Sequence, residues 1–322
     1  MSSISRLTEL ACLAAFLILA PYSYSMAEDS EQLKTKTVAV GEFFIDRPYA
    51  SMKGPTKTES ILLDPSSKTP YLWIKSFSVE IFDADGNRQS SEYLCHAWAH
   101  LPTKGNPESA LLTISEGLPE MRFPDGYAMK IPNTSDAKIM LLGQVRNDNP
   151  HISKHLSMKF TLTYFDDTEA QKLGLVPLVS TTVNTAPTDV LPGKHIYTAQ
   201  VPQHSLFMRN GNIYFIKMHL HPYGQSVELF DDTAQATVWK GTAENIPGRD
   251  ALARTDAYSD SQGLKIHKDH KYKVITTYNN TSGHVIDAMG VLRVYFAASA
   301  ADEATTSPRS MDKTETSLEC MP

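Results

Sequence analysis

Two histidines separated by one residue carry the strongest chemical signal in this sequence. His219 and His221 lie in the segment KMHLH, which directly follows the strand-forming residues Ile213 to Ile216. Alternate residues of a strand point to the same face, so the two imidazoles would project side by side. This arrangement predicts that the two imidazoles bind one metal ion together. The alternative is a pair of histidines that bind no ion.

A methionine near the C-terminal end of the chain could add a third ligand. Met289 comes immediately before Gly290 and a short strand pattern, Val291 to Phe296. If that strand pairs beside the His219 strand, the thioether can reach the same point. Two neutral imidazoles and a thioether suit copper, particularly Cu(I), better than zinc, calcium or magnesium. The alternative for Met289 is a core methionine, which is the usual role of methionine in a strand.

His284 lies between these two features and is a candidate for an accessory role. It could be a fourth ligand, or it could orient one of the imidazoles from behind, as groups around metal sites commonly do. The alternative is a histidine in a surface loop. With His219, His221 and Met289, it forms a pattern that extends from the His-x-His segment to the last strand.

This pattern resembles the second domain of the type II copper, ascorbate-dependent monooxygenases, the group of peptidylglycine alpha-hydroxylating monooxygenase and dopamine beta-hydroxylase. It is similar in more detail to the stress-up-regulated nodulin proteins, which look like diverged members of that fold. The resemblance implies a copper ion that activates oxygen and hydroxylates a C–H bond, with ascorbate or another one-electron donor as reductant. The residues that carry it are His219, His221, Tyr278, Asn279, Asn280, Thr281, His284, Met289 and Gly290.

The first half of the chain resembles the same family less closely. Where the nodulin-type proteins have Tyr-Leu-His-His-Trp, this sequence reads YLCHAW, with Cys95 in place of the first histidine and His96 kept. Arg146 stands where the resemblance implies a third histidine, and an arginine does not ligate metals in the usual way. Cys95, His96 and His100 remain a tentative first-domain site for a second copper, because thiolate and imidazole are good copper ligands. The alternative is a buried cysteine with ordinary surface histidines.

The segments that must position these residues alternate with period two, which is typical of β-strands. We find no long amphipathic helix, and the ordered part is too long for one sandwich of roughly 100 to 150 residues. We therefore expect an all-β protein of two tandem antiparallel β-sandwich domains, jelly-roll-like in topology. The predicted strands are Val38–Ile45, Tyr71–Phe82, Ala128–Ile131, Lys138–Val145, Ser157–Tyr164, Ile196–Val201, Ile213–His221, Ser226–Phe230, Tyr272–Tyr278 and Ala288–Phe296.

The chain divides into four predicted segments. Residues 1–27 have the apolar run and the small residues before a cleavage site that are typical of a secretory signal, the alternative being an N-terminal membrane anchor. Residues 28–180 form the N-terminal sandwich and residues 190–297 the C-terminal sandwich. Residues 298–322 are small and polar without periodicity, which predicts a disordered tail. The mature protein is thus expected to be secreted or periplasmic, with no membrane span.

Composition excludes several classes of function. The 322 residues include 30 basic and 36 acidic side chains, a net charge of −6, so nothing favours nucleic acid or an anionic membrane as partner. Three cysteines are too few for a disulfide-dense scaffold or a cysteine-rich metal cluster. In an oxidising compartment Cys95 and Cys320 could pair. Three hypotheses remain: a copper monooxygenase acting on a small molecule or peptide, a non-catalytic copper-binding protein, and a metal-free interaction protein.

Overall fold

The structure, a computed structural model, describes most of the chain between Leu33 and Ser299. Residues 1–32, and with them the predicted signal segment 1–27, lie outside the described residues, as do Cys320 and all but the first two residues of the predicted tail. The described part of the chain from Leu33 onward belongs to one compact unit. The described ranges are 33–49, 52–102, 110–185, 189–202 and 206–299.

The predicted all-β fold is confirmed: the described residues form two β-sandwiches and one short α-helix. The first sandwich contains β1 (Lys34–Ile45), β2 (Thr56–Ile61), β3 (Tyr71–Asp83), β4 (Leu94–His100), β5 (Ala110–Ser115), β6 (Glu120–Arg122), β7 (Tyr127–Pro132), β8 (Ile139–Val145), β9 (Lys154–Asp166), α1 (Asp167–Lys172) and β10 (Val176–Pro177). The second contains β11 (Val179–Asn184), β12 (Asp189–Val190), β13 (Gly193–Gln200), β14 (Gly211–Leu220), β15 (Gly224–Asp231), β16 (Ala236–Asn245), β17 (Leu252–Thr255), β18 (Ala257–Ile266), β19 (Tyr272–Asn280), β20 (Ile286–Asp287) and β21 (Gly290–Ala298).

Each sandwich is built from two main sheets whose strands pair antiparallel, apart from the two-residue parallel pairing of β10 with β7. In the first sandwich the order β1-β9-β3-β7-β10, with β6 added to β3, faces the order β2-β8-β4-β5. In the second, β11-β21-β14-β18 faces β13-β19-β15-β16-β17, and β12 pairs with β20 as a small ribbon. The strand β11 follows β10 after one residue, so the chain passes from one sandwich to the other near residue 178.

Alternating apolar residues fill a separate core in each sandwich. In the first, Phe43, Phe77 and Phe160 are fully buried; in the second, Val227 and Val274 are. Large side chains buried in this way dominate the free energy of folding, at about 1.5–3 kcal/mol each. No helix of the described part is long and apolar enough to cross a membrane.

Strand β14 is buried on both of its faces, and this determines what lies between the two sandwiches. A bulge between Ile213 and Phe215 sets its register against both neighbours. Beyond the bulge, Ile216 and Met218 point into the core of the second sandwich. Phe215 and Lys217 therefore point the other way, onto the first sandwich, where Phe215 joins its hydrophobic core. The Lys217 ammonium donates a hydrogen bond of 2.8 Å to the carbonyl of Thr113 in β5.

A buried ion pair also joins the sandwiches. The Arg146 guanidinium, at the end of β8, donates to the Glu116 carboxylate and to the carbonyl of Asp250 in the second sandwich. The other Glu116 oxygen accepts the backbone N–H of Leu252 at 2.8 Å. Burial raises the pKa of Glu116 to about 7, although the neighbouring Arg146 lowers it. Both side chains thus satisfy backbone groups of the opposite sandwich as well as each other.

We predict that breaking this pair destabilises the protein strongly. Arg146→Met leaves the Glu116 carboxyl buried without its partner and should lower the free energy of unfolding by about 3 kcal/mol or more. The double variant Glu116→Gln/Arg146→Met should recover much of this loss. The measurement is urea unfolding followed by fluorescence. The control is Arg254→Met, since Arg254 is more than half exposed and pairs at the surface with Glu244 and Asp256, and we expect a much smaller loss of stability. Equal losses in the Arg146 and Arg254 variants would contradict the prediction.

Candidate metal centre

An irregularity in strand β4 aims His96 at the second sandwich. Leu94 is opposite Val145 of β8 and His96 is opposite the next residue, Gln144, so Cys95 is an extra residue in the ladder. Such bulges re-aim side chains and are frequent beside functional sites. Beyond the bulge Ala97 points into the core of the first sandwich. His96 therefore leaves the opposite face of the sheet, the face that packs on β14.

Three histidines from the two sandwiches meet at this interface. His96 of β4 joins His219 of β14 and His221, the first residue after β14, and the ligand nitrogens of all three lie within 4.8 Å of one another. The Nε2 atoms of His96 and His219 are 2.9 Å apart, so one ring donates a hydrogen bond to the other. Their exposed fractions are 3%, 6% and 3%. Within the described ranges this is the one group of three or more potential metal-binding side chains that converges so closely.

Burial keeps these imidazoles neutral, which is the form that binds a metal. It lowers the pKa of His96 to about 3, with further lowering by His221 and Lys217. It lowers the pKa of His221 to about 4 and that of His219 well below its ordinary value. The same desolvation lowers the pKa of the neighbouring Lys217. The three rings therefore offer uncharged nitrogen lone pairs at neutral pH.

Two of the three imidazoles are contacted at their Nδ1 atoms. The Cys95 sulfur lies 3.0 Å from Nδ1 of His96. Nδ1 of His221 lies 3.3 Å from the carbonyl oxygen of Asp287, and the backbone N–H of His221 donates to the hydroxyl of Tyr278 at 3.0 Å. In contrast, Nδ1 of His219 is buried and has no hydrogen-bond partner among the described residues. His96 and His221 thus each have a contact at Nδ1, whereas Nδ1 of His219 has no hydrogen-bond partner among the described residues.

Strand β21, which begins directly after Met289, pairs with β14 as expected from the sequence. Leu220, the last residue of β14, is opposite Gly290, the first residue of β21, so His221 and Met289 directly adjoin the end of this ladder. The side chain of Met289 is half-buried. Its carbonyl oxygen accepts the hydroxyl of Tyr278, the same tyrosine that contacts the backbone of His221.

The remaining predicted site residues have different positions. The tentative first-domain set of Cys95, His96 and His100 does not gather at a site of its own, because His96 lies with the second-domain pair. His100 is buried two positions beyond Trp98 on the same face of β4, and the Trp98 and His100 rings are 5.5 Å apart. His284 is exposed on the loop before β20.

Sequence reasoning missed the groups that surround the site. Tyr278 and the carbonyl of Asp287 contact His221. Tyr278 belongs to the pattern that carries the resemblance, but sequence reasoning assigned it no role at the site, and a backbone carbonyl such as that of Asp287 has no sequence signature. Arg146, which the resemblance set at a lost ligand position, is paired with Glu116 instead. The direct contact between His96 and His219 joins residues 123 positions apart.

Comparisons with known proteins give a likeness of fold only. No family model matches the chain, and no curated protein matches it. A crystal structure of peptide-N(4)-(N-acetyl-β-D-glucosaminyl) asparagine amidase is similar at 11% identity over 82% of this chain and 98% of that chain, with a TM-score of 0.39. The structure of PNGase F, a glycosylasparaginase from Flavobacterium meningosepticum, is similar at 11% identity over 81% and 96%, with a TM-score of 0.36. The VP54 protein of PBCV-1, fitted into a reconstruction of the virophage Sputnik, gives 9% identity, 82% and 94% coverage and a TM-score of 0.30. At these scores the likeness carries no inference about chemistry.

We predict that the metal-free protein loses stability in acid because of these histidines. A histidine in an unfolded chain has a pKa of about 6.5, whereas His96 and His221 have folded-state pKa values of about 3 and about 4. The unfolded chain therefore binds more protons, and stability should fall as the pH drops below about 6.5.

Denaturant unfolding of chelator-treated protein between roughly pH 7.5 and pH 4.5 measures the slope of stability against pH. His96→Gln should flatten it, and His151→Gln, at an exposed histidine, should not. Identical slopes in all three proteins would refute the assignment.

Proposed function

We propose that this protein binds one copper ion through His96, His219 and His221, at the boundary of its two sandwiches. The observation that supports this is the convergence of three buried, neutral imidazoles within 4.8 Å of one another. Buried polar side chains normally have a partner, yet Nδ1 of His219 has none in the described part of the chain. A metal ion would give this set of ligand groups a common partner.

The ligand set favours copper over other ions. Imidazole nitrogen suits zinc, copper, iron and nickel, whereas calcium and magnesium prefer oxygen. The converging group contains no carboxylate or thiolate to balance charge. Since the cost of transferring an ion from water into a low-dielectric interior rises with the square of its charge, a monovalent ion is favoured over a divalent one. Cu(I) meets this condition, and the soft thioether of Met289, which adjoins the end of the β14–β21 ladder as His221 does, would favour it further.

The arrangement favours a single-copper protein over a two-copper monooxygenase. Bound copper would supply one-electron redox chemistry at this position. The resemblance assigns a second, electron-passing copper to ligands that here include His96, but His96 is 2.9 Å from His219. Arg146, at the other implied ligand position, is engaged with Glu116. We therefore propose copper binding in an exported protein as the function. We do not propose the ascorbate-dependent hydroxylation that the resemblance implies.

We predict that copper binding depends on histidines of both sandwiches. Wild-type protein loaded with Cu(I) anaerobically and then desalted should retain about one copper per chain by elemental analysis. Retention should fall to near zero in His96→Ala and in His219→Ala/His221→Ala, because each variant leaves fewer than three imidazoles. His284→Ala is the matched control, because its exposed side chain lies outside the group, and it should retain copper fully.

Two results would contradict the proposal. Wild-type protein that retains no copper would refute the site altogether. Copper retention that survives His96→Ala but not the double variant would mean that the second sandwich alone holds the ion. Circular dichroism of each metal-free variant checks that the β-sandwiches remain folded.

We predict that Met289 affects the preference between the two redox states of copper. Met289→Leu removes the soft thioether at nearly constant volume, so the amount of bound copper should not change. The affinity for Cu(I) should fall more than the affinity for Cu(II), and the reduction potential should decrease. Competition titrations with chelators for each redox state measure both affinities. An unchanged ratio would show that the sulfur does not contact the ion.

A further inference from the structure

Two buried hydroxyl groups beside the three histidines have no hydrogen-bond partner among the described residues. Ser115 is 1% exposed and Thr255 is 3% exposed, and neither Oγ of Ser115 nor Oγ1 of Thr255 is bonded. Buried hydroxyls are almost always hydrogen-bonded to protein, water or a ligand. Two uncommitted hydroxyl groups at one interface point to a bound molecule that contacts them.

The strands that carry the two hydroxyls lie next to the strands of the imidazoles. Ser115 of β5 is directly opposite His96 of β4, so the two side chains leave the same face of the sheet, with Cβ atoms about 5 Å apart. Thr255 is the last residue of β17, and β17 contacts β14, the strand that carries His219.

A tight backbone contact between the sandwiches involves Thr255 and the turn that follows Ser115. The backbone N–H of Thr255 donates to the carbonyl of Gly117 at 3.1 Å. Gly117 has a φ of +78°, and a Cβ there would lie 3.0 Å from the Thr255 nitrogen. Glycine is therefore required at this position, both for the backbone conformation and for the close contact. The turn after Ser115 can then lie directly against the end of β17.

We propose that Ser115 and Thr255 bind a small hydrogen-bond acceptor, of water or azide size, next to the metal. This inference rests on the proposed function and extends it, because it makes the copper accessible to a ligand from outside the protein. Copper held by three imidazoles would be able to take a further small ligand. The two hydroxyls can donate hydrogen bonds to such a ligand if it is an acceptor.

The test uses azide as the probe and the copper-loaded full-length protein. Azide bound to Cu(II) gives a charge-transfer absorption band that can be titrated. We expect wild-type protein to bind azide, and Ser115→Ala and Thr255→Val each to weaken azide binding about three- to tenfold, the effect of one hydrogen bond. The copper content should not change in either variant. Thr58→Val, which removes an exposed hydroxyl on β2, is the control and should leave azide binding unchanged.

A second measurement needs no metal. Replacing an unpartnered buried hydroxyl by a methyl group removes a desolvation cost, so the thermal unfolding midpoint of metal-free Thr255→Val should stay the same or rise. A clear decrease would mean that the hydroxyl already has a protein partner, and would overturn the inference.

The possible failures can be distinguished. Copper-loaded wild type that binds no azide, or variants that bind it as tightly as wild type, would overturn the role of Ser115 and Thr255 and leave copper binding intact. Wild type that binds no copper would overturn both proposals.

Discussion

The burial of strand β14 on both faces is the constraint on which the rest of the structure depends. One face completes the core of the second sandwich, and the other packs against the sheet of β4 and β5. On this second face Phe215 joins the core of the first sandwich, whereas Lys217 and His219 are removed from water without entering a hydrophobic core. In such a place polar groups must find partners. Lys217 uses the Thr113 carbonyl, and His219 uses His96.

The sequence was sufficient for the features that depend on local alternation. The strand that ends in His219 and His221 follows from the period of its apolar residues, and so does the pairing face that both imidazoles share. Strands with one exposed face were harder to find: β16 and β18 carry mostly exposed or half-buried side chains, so their alternation is weak. Helix α1 has only six residues, too few for a helical period. It begins after Asp166, which accepts the N–H of Glu169.

The composition of the candidate site could not be predicted in the same way. His96 reaches His219 because of a bulge at Cys95 and because two sheets pack face to face. Neither the bulge nor the packing leaves a periodic signal in the sequence. The resemblance to copper monooxygenases drew attention to the relevant residues but grouped them into two sites. Which histidines meet is decided by contacts between residues more than a hundred positions apart, and only the folded arrangement of the two sandwiches specifies those contacts.

A site built from both sandwiches couples ion binding to their association. Any ion held by His96 and His219 together binds only when β4 and β14 are in contact, so it stabilises that contact by mass action. The coupling is reciprocal: groups that hold the sandwiches together must also affect the affinity for the ion. Glu116 and Arg146 are such groups, since they link the turn after β5 to the backbone before β17. The interface that they stabilise is the one that brings the three imidazoles within 4.8 Å of one another, within reach of a single ion.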